Sequence, residues 1–240
     1  MSEADIAAMD WGRLGEGSFW FALTIAFYVA ARRLQQALGG TPLANTVLVA
    51  AIPLMAILYW FGIPVSEYQR GGWLLLWVLG PATVALAVPL YLNFAHVRVA
   101  LWPMCAALLV GPAVAVISGL ILAEAMGARI ETIRSLAPKT VTTPIAMGIA
   151  REIGGIPELT AAFVIFTGII GAVFGAALFN AIGMRDARTR GFAMGVISGG
   201  IGTARAFQES FLAGTFSGVG MTLSGILTAI VLPLVWLAFF

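Results

Sequence analysis

Apolar and polar residues alternate along the chain in long blocks, with apolar runs at 18–38, 43–62, 72–94, 99–126, 159–182 and 217–240. Each run approaches or exceeds the roughly 20 residues that cross about 30 Å of hydrocarbon. In lipid every backbone N–H and C=O must find a partner inside the protein, and a helix supplies one within its own segment. The pattern therefore predicts about six full transmembrane helices. The run 72–94 carries Pro81 and Pro89 and is expected to kink or break. Trp20, Trp60, Trp73, Trp102 and Trp236 fall near run boundaries and read as ordinary interfacial residues. Two further stretches, 127–158 and 184–213, have polar centres. Each is predicted to be an interrupted helix, either spanning or re-entrant.

Composition agrees with a membrane protein: 60% of residues are hydrophobic and 10% charged, too few charges for the surface of a soluble globule. A net charge of +2 gives no reason to expect nucleic acid as a partner. Cys105 is the single cysteine, so no internal disulfide forms. No phosphate-binding GxxxxGK[ST] loop, metal-ligand spacing or nucleophile–base arrangement occurs, so the chain reads as neither an enzyme nor a metal or cofactor protein. Residues 1–17 carry Glu3, Asp5, Asp10 and Glu16 against Arg13, an acidic tail unlike the basic start of a secretory signal.

Charge also constrains topology. With the acidic tail outside, a spanning 127–158 puts Arg185, Arg188 and Arg190 outside, against the cytoplasmic bias of Lys and Arg. A re-entrant 127–158 puts them inside. The expected architecture is an all-α polytopic membrane protein, with six spans, two opposed hairpins and both termini outside. Two broken but spanning helices are the alternative. Three regions follow: the tail 1–17, scaffold-like helices at 18–98, and a transport-like core at 99–240. Thr143 and Gly154 stand eleven apart, as do Thr203 and Gly214, an echo in the manner of inverted-repeat transporters.

The two polar stretches carry the chemistry. Proline suits the first helical position and threonine the cap before it. Thr142-Thr143-Pro144 therefore predicts a half-helix from Pro144 to Ile153, stopped by Gly154-Gly155. Its N-terminus is a seat for an anion, with Lys139 and the hydroxyls of Ser135, Thr140 and Thr142 just upstream. Snorkelling to the surface is the plainer role for Lys139. In the second stretch, Gly199, Gly200 and Gly202 follow Ser198 and let the backbone turn towards a ligand. Thr203 is expected to cap the next helix, with Arg205 in its first turn. A cation there opposes the helix dipole and calls for a partner, either an anionic substrate or Glu209. Glu152 and Glu209 are candidates for coupling or pairing. Thr83, Tyr91 and Asn93 are candidates for cavity lining.

These residues also carry a resemblance. The stretches SLAPKTVTTPIAMGIAREIGGIPELTA (135–161), GPATVALAVPLY (80–91) and GTARAFQE (202–209) resemble the signatures of the LrgB/CidB family, over essentially residues 40–240. The C-terminal half of the plastidial glycolate/glycerate translocator is similar. The resemblance implies two functions: a holin- or antiholin-like regulator of murein hydrolase activity and lysis, and a carrier of small monocarboxylates such as pyruvate, lactate, glycolate or glycerate. It implies a bacterial plasma-membrane location and a small LrgA/CidA-like membrane partner; a homo-oligomer is a further option that the sequence leaves open. Lys139, Thr142, Thr143, Pro144, Gly202, Thr203 and Arg205 match the family pattern. Many relatives have a histidine where this chain has Ser198-Gly199-Gly200, so a role of that histidine in proton coupling or substrate choice does not carry over to this chain.

Overall fold

The computed structural model describes residues 11–39, 44, 46–85 and 87–239, and all regular structure among them is helical. The expected acidic tail falls largely outside the described residues. The chain divides into two compact units, Met1–Ala85 and Leu86–Phe240.

The first unit holds α1 (Trp11–Ala37), α2 (Thr46–Trp60) and α3 (Val65–Ala85), with α1 packed against both others. Trp20 is buried and meets the rings of Phe19 and Tyr68 edge-on at 5.2 and 5.7 Å. The Thr24 and Tyr68 hydroxyls share a 3.1 Å hydrogen bond. Thr46 donates to the Gln35 amide oxygen at 2.8 Å. Trp20 is thus a core residue of this unit and not the belt residue its position suggests.

The second unit holds α4 (Ala87–Leu92), α5 (Phe94–Val99), α6 (Leu101–Ala125), α7 (Ile130–Leu136), α8 (Thr143–Glu152), α9 (Pro157–Ala181), α10 (Ala187–Glu209) and α11 (Phe211–Phe239). In the run 72–94, Pro81 lies inside α3 and Pro89 inside α4, and a turn at Asn93 separates α4 from α5. Three helices are long and apolar enough to cross a bilayer: Leu101–Ala125, Pro157–Ala181 and Phe211–Ala238. They turn Leu109, Ile117 and Ile121, Phe166, Ile170 and Phe174, and Ile226, Ile230 and Leu234 outward. Such exposure suits lipid, where an apolar surface has no reason to hide. Among the described residues the six expected spans are represented by these three, with α2 apolar but shorter.

Local chemistry ends the helices. After α8, Gly154 adopts φ 78 and the Gly155 N–H reaches back to the Ala150 carbonyl at 2.7 Å. This is the left-handed stop that only glycine takes at low cost. Asp186 caps α10 by accepting from the N–H groups of Arg188 and Thr189 at 2.9 and 3.0 Å. The Arg188 side chain, bonded to the same carboxylate, holds the Asp186 pKa down to about 2. A carboxylate with a depressed pKa contributes stability above its ordinary value of 3.8 and loses it as pH falls through about 2. Asp186→Ala should therefore cost about 0.5–2 kcal/mol at neutral pH and progressively less in thermal melts taken in strong acid.

Candidate functional site

The two polar stretches are both hairpins, and they enter from opposite ends of α6. The first begins with α7, turns through 137–142, and returns as α8. Its ends are side by side: Ser135, fully buried, accepts from the Ile156 N–H at 2.8 Å and donates to the Glu131 carbonyl at 2.6 Å. Ser135 therefore serves the base of the hairpin and not the ligand site considered for it.

The second hairpin is α10 itself. Gly199 interrupts its helical geometry with φ 52 and ψ −137, a combination denied to residues with a Cβ. The arms fold back on each other. Arg190 near the start lies 3.4 Å from Glu209 at the end, and a Cβ on Gly202 would strike the Ser198 side chain. An unbroken helix would hold Arg190 and Glu209 roughly 28 Å apart. Both stretches are thus hairpins, the form expected over broken helices that run straight on.

Each hairpin base is fastened by an arginine on an aromatic ring. Arg134 lies over Trp236 with 5.8 Å to the ring centre. Arg190 lies over Phe179 at 5.5 Å and donates to the Asn180 side chain at 2.7 Å and the Met184 carbonyl at 3.3 Å. Trp236, only 5% exposed, is this arginine platform and not a belt residue. Trp60 and Trp102 are exposed, as belt residues should be, and the Trp73 side chain lies outside the described residues.

The tips meet. A Cβ on Gly199 would sit 3.6 Å from the Val141 carbonyl oxygen and 3.9 Å from the Thr142 nitrogen. The spanning helices give the depth. Val196, near the second tip, touches the Gly111 position of α6, and Ser198 presses on Gly168 and Gly171 of α9. Lys139, near the first tip, donates to the Ala115 carbonyl at 2.6 Å. Ala115 lies near the middle of α6, roughly 15–20 Å from either end. Lys139 is therefore held at half depth and does not snorkel outward.

Two helices begin where the tips meet, α8 at Thr143 and the second arm of α10 at Gly200. Helix N-termini present free N–H groups and partial positive charge, and Lys139 adds a full one. Gly200 is exposed, with open space beside its Cα. Thr140 and Ser198 are buried, 3% and 5% exposed, and their hydroxyls have no partner among the described residues. The combination suits a small anion with a second polar group.

Several expectations need correction. Thr142, and not Thr143, caps α8, through its backbone and without a side-chain bond; Thr143 is the first helical residue. Thr203 does not cap the second arm. It is buried within it, donating to the Gly199 carbonyl at 2.9 Å and sharing a 2.9 Å bond with Ser217 of α11. The break lies at Gly199, so Arg205 falls in the arm's second turn and not its first. Arg205 donates to Gln208 at 3.0 Å, and its Nε is enclosed without an acceptor among the described residues. Glu209 pairs with Arg190 at the hairpin base. Glu152 is exposed at the end of α8. Tyr91 is exposed, Asn93 donates to Thr215 of α11 at 3.3 Å, and the Thr83 side chain lies outside the described residues. The Thr–Gly echo also fails in detail, since Gly154 ends a helix and Gly214 lies inside α11.

Gly119 is a site residue that sequence reasoning missed. A Cβ there would collide with the Lys139 ammonium group, so the notch in α6 is what admits the cation. An isolated glycine in an apolar run carries no signal of a lysine twenty positions later. Gly119→Ala should cost little stability, because a flexible side-chain end can retreat. Saturable anion uptake by reconstituted protein, compared with the melting temperature, would show the selective loss expected when Lys139 is displaced.

Comparison with known proteins gives the same reading at family level. Residues 24–238 match the LrgB-like family. YxaC, an uncharacterized protein of Bacillus subtilis, is 37% identical over 90% of this chain and 94% of its own length. YwbG of the same organism is 35% identical over 88% and 93%. The holin-like protein CidB of Staphylococcus epidermidis is 29% identical over 91% and 95%. No solved structure matches the chain. A full-length match of this kind, on an all-helical membrane chain, makes the protein a member of the LrgB-like family.

Proposed function

We propose that this chain is a secondary carrier of small monocarboxylates of the pyruvate, lactate, glycolate or glycerate type. The observation that carries the proposal is the half-depth meeting of Gly199 with Val141–Thr142, where two helix N-termini come together two residues from Lys139, whose ammonium is held at α6. Carboxylates are favoured at such positive ends. Lys139 and the N–H groups at Thr143 and Gly200 would hold the carboxylate. Thr140, Thr142, Thr143 and Ser198 would contact the oxo or hydroxy group. Arg205, with an unengaged nitrogen, would approach from the second arm. Movement of one hairpin at a time would open the site alternately to the two sides, and the arginine–aromatic fastenings at the bases would be the contacts remade in each cycle. Arg98, Arg185, Arg188 and Arg190 gather at the N-terminal end of α6, which the bias of basic residues would put in the cytoplasm of a bacterial plasma membrane.

The test is uptake of labelled pyruvate, lactate and glycolate into proteoliposomes, with and without a proton gradient and with and without a small LrgA/CidA-like partner. Saturation and mutual competition are expected. Arg205→Lys should weaken uptake by roughly tenfold, because a planar fork becomes a point charge. Equal uptake by that variant removes Arg205 from the site.

The names of the CidB relatives favour a second reading, a holin-like pore or lysis regulator. A pore passes many small solutes without saturating. It also has no use for a lysine lodged at half depth, which is why the carrier ranks first.

A further inference from the structure

A separate cleft of about 280 Å³ opens where α5 ends and α6 and α10 begin. Its floor is apolar, formed by Val99, Pro103, Met104, Phe192 and Phe216, and its rim carries Asp186, Arg188 and Thr189. Met104 lies in the first turn of α6 and Phe192 in the second turn of α10. The floor thus lies within about 10 Å of the helix ends, the depth of lipid glycerol and upper acyl chain in a bilayer. Arg188 is spent on Asp186 at 2.8 Å, and the pair is close to neutral. Arg98, next to Val99, and Arg185, next to Asp186, are exposed and have no ion-pair partner among the described residues. Two uncompensated positive charges thus stand one residue from lining positions of this oily slot.

We propose that this cleft seats an anionic phospholipid, with one acyl chain on the apolar floor and the phosphate at Arg98 and Arg185. A free metabolite anion would have no use for the floor, and a neutral lipid would have no use for the rim. Basic rims on helix clefts at a membrane surface are suited to anionic headgroups. This site is separate from the hairpin tips and does not depend on the transport reading.

Native mass spectrometry of the purified full chain tests it, with equimolar phosphatidylglycerol and phosphatidylcholine of matched chain length. Phosphatidylglycerol adducts should dominate. Two arginines near the surface are worth a factor of roughly 30 in relative binding, so Arg98→Gln with Arg185→Gln should bring the two lipids close to parity. Both side chains are exposed, and the variant should fold. Ala107→Phe, which fills the cleft, should reduce adducts of both lipids. Parity of the two lipids in the original chain overturns the proposal. So does undiminished preference in the arginine variant, or displacement of the lipid by millimolar glycerol phosphate, which would mark a site for a soluble anion.

Discussion

Lys139→Met should abolish saturable monocarboxylate uptake while leaving the protein folded. The methionine keeps an unbranched apolar stem of similar length and removes the charge. The bond lost from Lys139 to the Ala115 carbonyl is one that α6 can do without, because that carbonyl also belongs to the helix ladder. The substrate loses more. A hydrogen bond to a charged group contributes about 1.5–3 kcal/mol, so affinity should fall by roughly 10- to 100-fold. Lys139→Arg should rescue poorly, because the Gly119 notch is sized for an ammonium group and not for a guanidinium plane. Binding by isothermal titration beside a thermal melt separates the two effects. Unchanged affinity in a well-folded Met variant would take Lys139 out of the site.

The second large effect is on assembly. Gly195→Val should yield little or no folded protein by size-exclusion chromatography. A Cβ on Gly195 would overlap the Ser217 carbonyl oxygen of α11, and one on Gly191 would overlap that of Ala213. Both obstacles are backbone, which cannot swing aside as a side chain can. Overpacking of this kind costs about 1–3 kcal/mol where neighbours can yield, and more where they cannot. The first arm of α10 would be pushed off α11, carrying Gly199 away from Val141. Gly200→Val is the control. Its Cβ would enter open space, so folding should survive while the site is crowded. Equal yields of the Gly195 and Gly200 variants would contradict the packing described here.

What could be read from the sequence was local. The start of α8 was legible to within one residue because proline acts on its own neighbours, and its stop because Gly154-Gly155 acts likewise. The position of the second break was not. Gly199, Gly200 and Gly202 are equally permissive, and only the approach of Val141 from the other hairpin selects Gly199. The same limit explains Glu209. A pair one helical turn apart with Arg205 is what a continuous helix offers, whereas the hairpin brings Arg190 to Glu209 across nineteen positions. Trp20 and Trp236 sit at run ends in the sequence but are enclosed by Tyr68 and by Arg134, contacts that no local pattern reveals. The hairpin form of the two stretches was favoured for a different reason, the charge balance of loops, which depends on counting sides and not on knowing contacts.

Cysteine cross-linking across the tips is the most direct test. In a Cys105→Ser background with a protease site in the exposed turn at Gly183, cysteines replace Thr142 and Gly200. A short bifunctional methanethiosulfonate should keep the two proteolytic fragments joined in membranes, before any detergent is added. Fragments that separate, while an Asn180–Arg190 control pair keeps them joined across the same cut, would mean that the two turns do not face each other inside the bilayer.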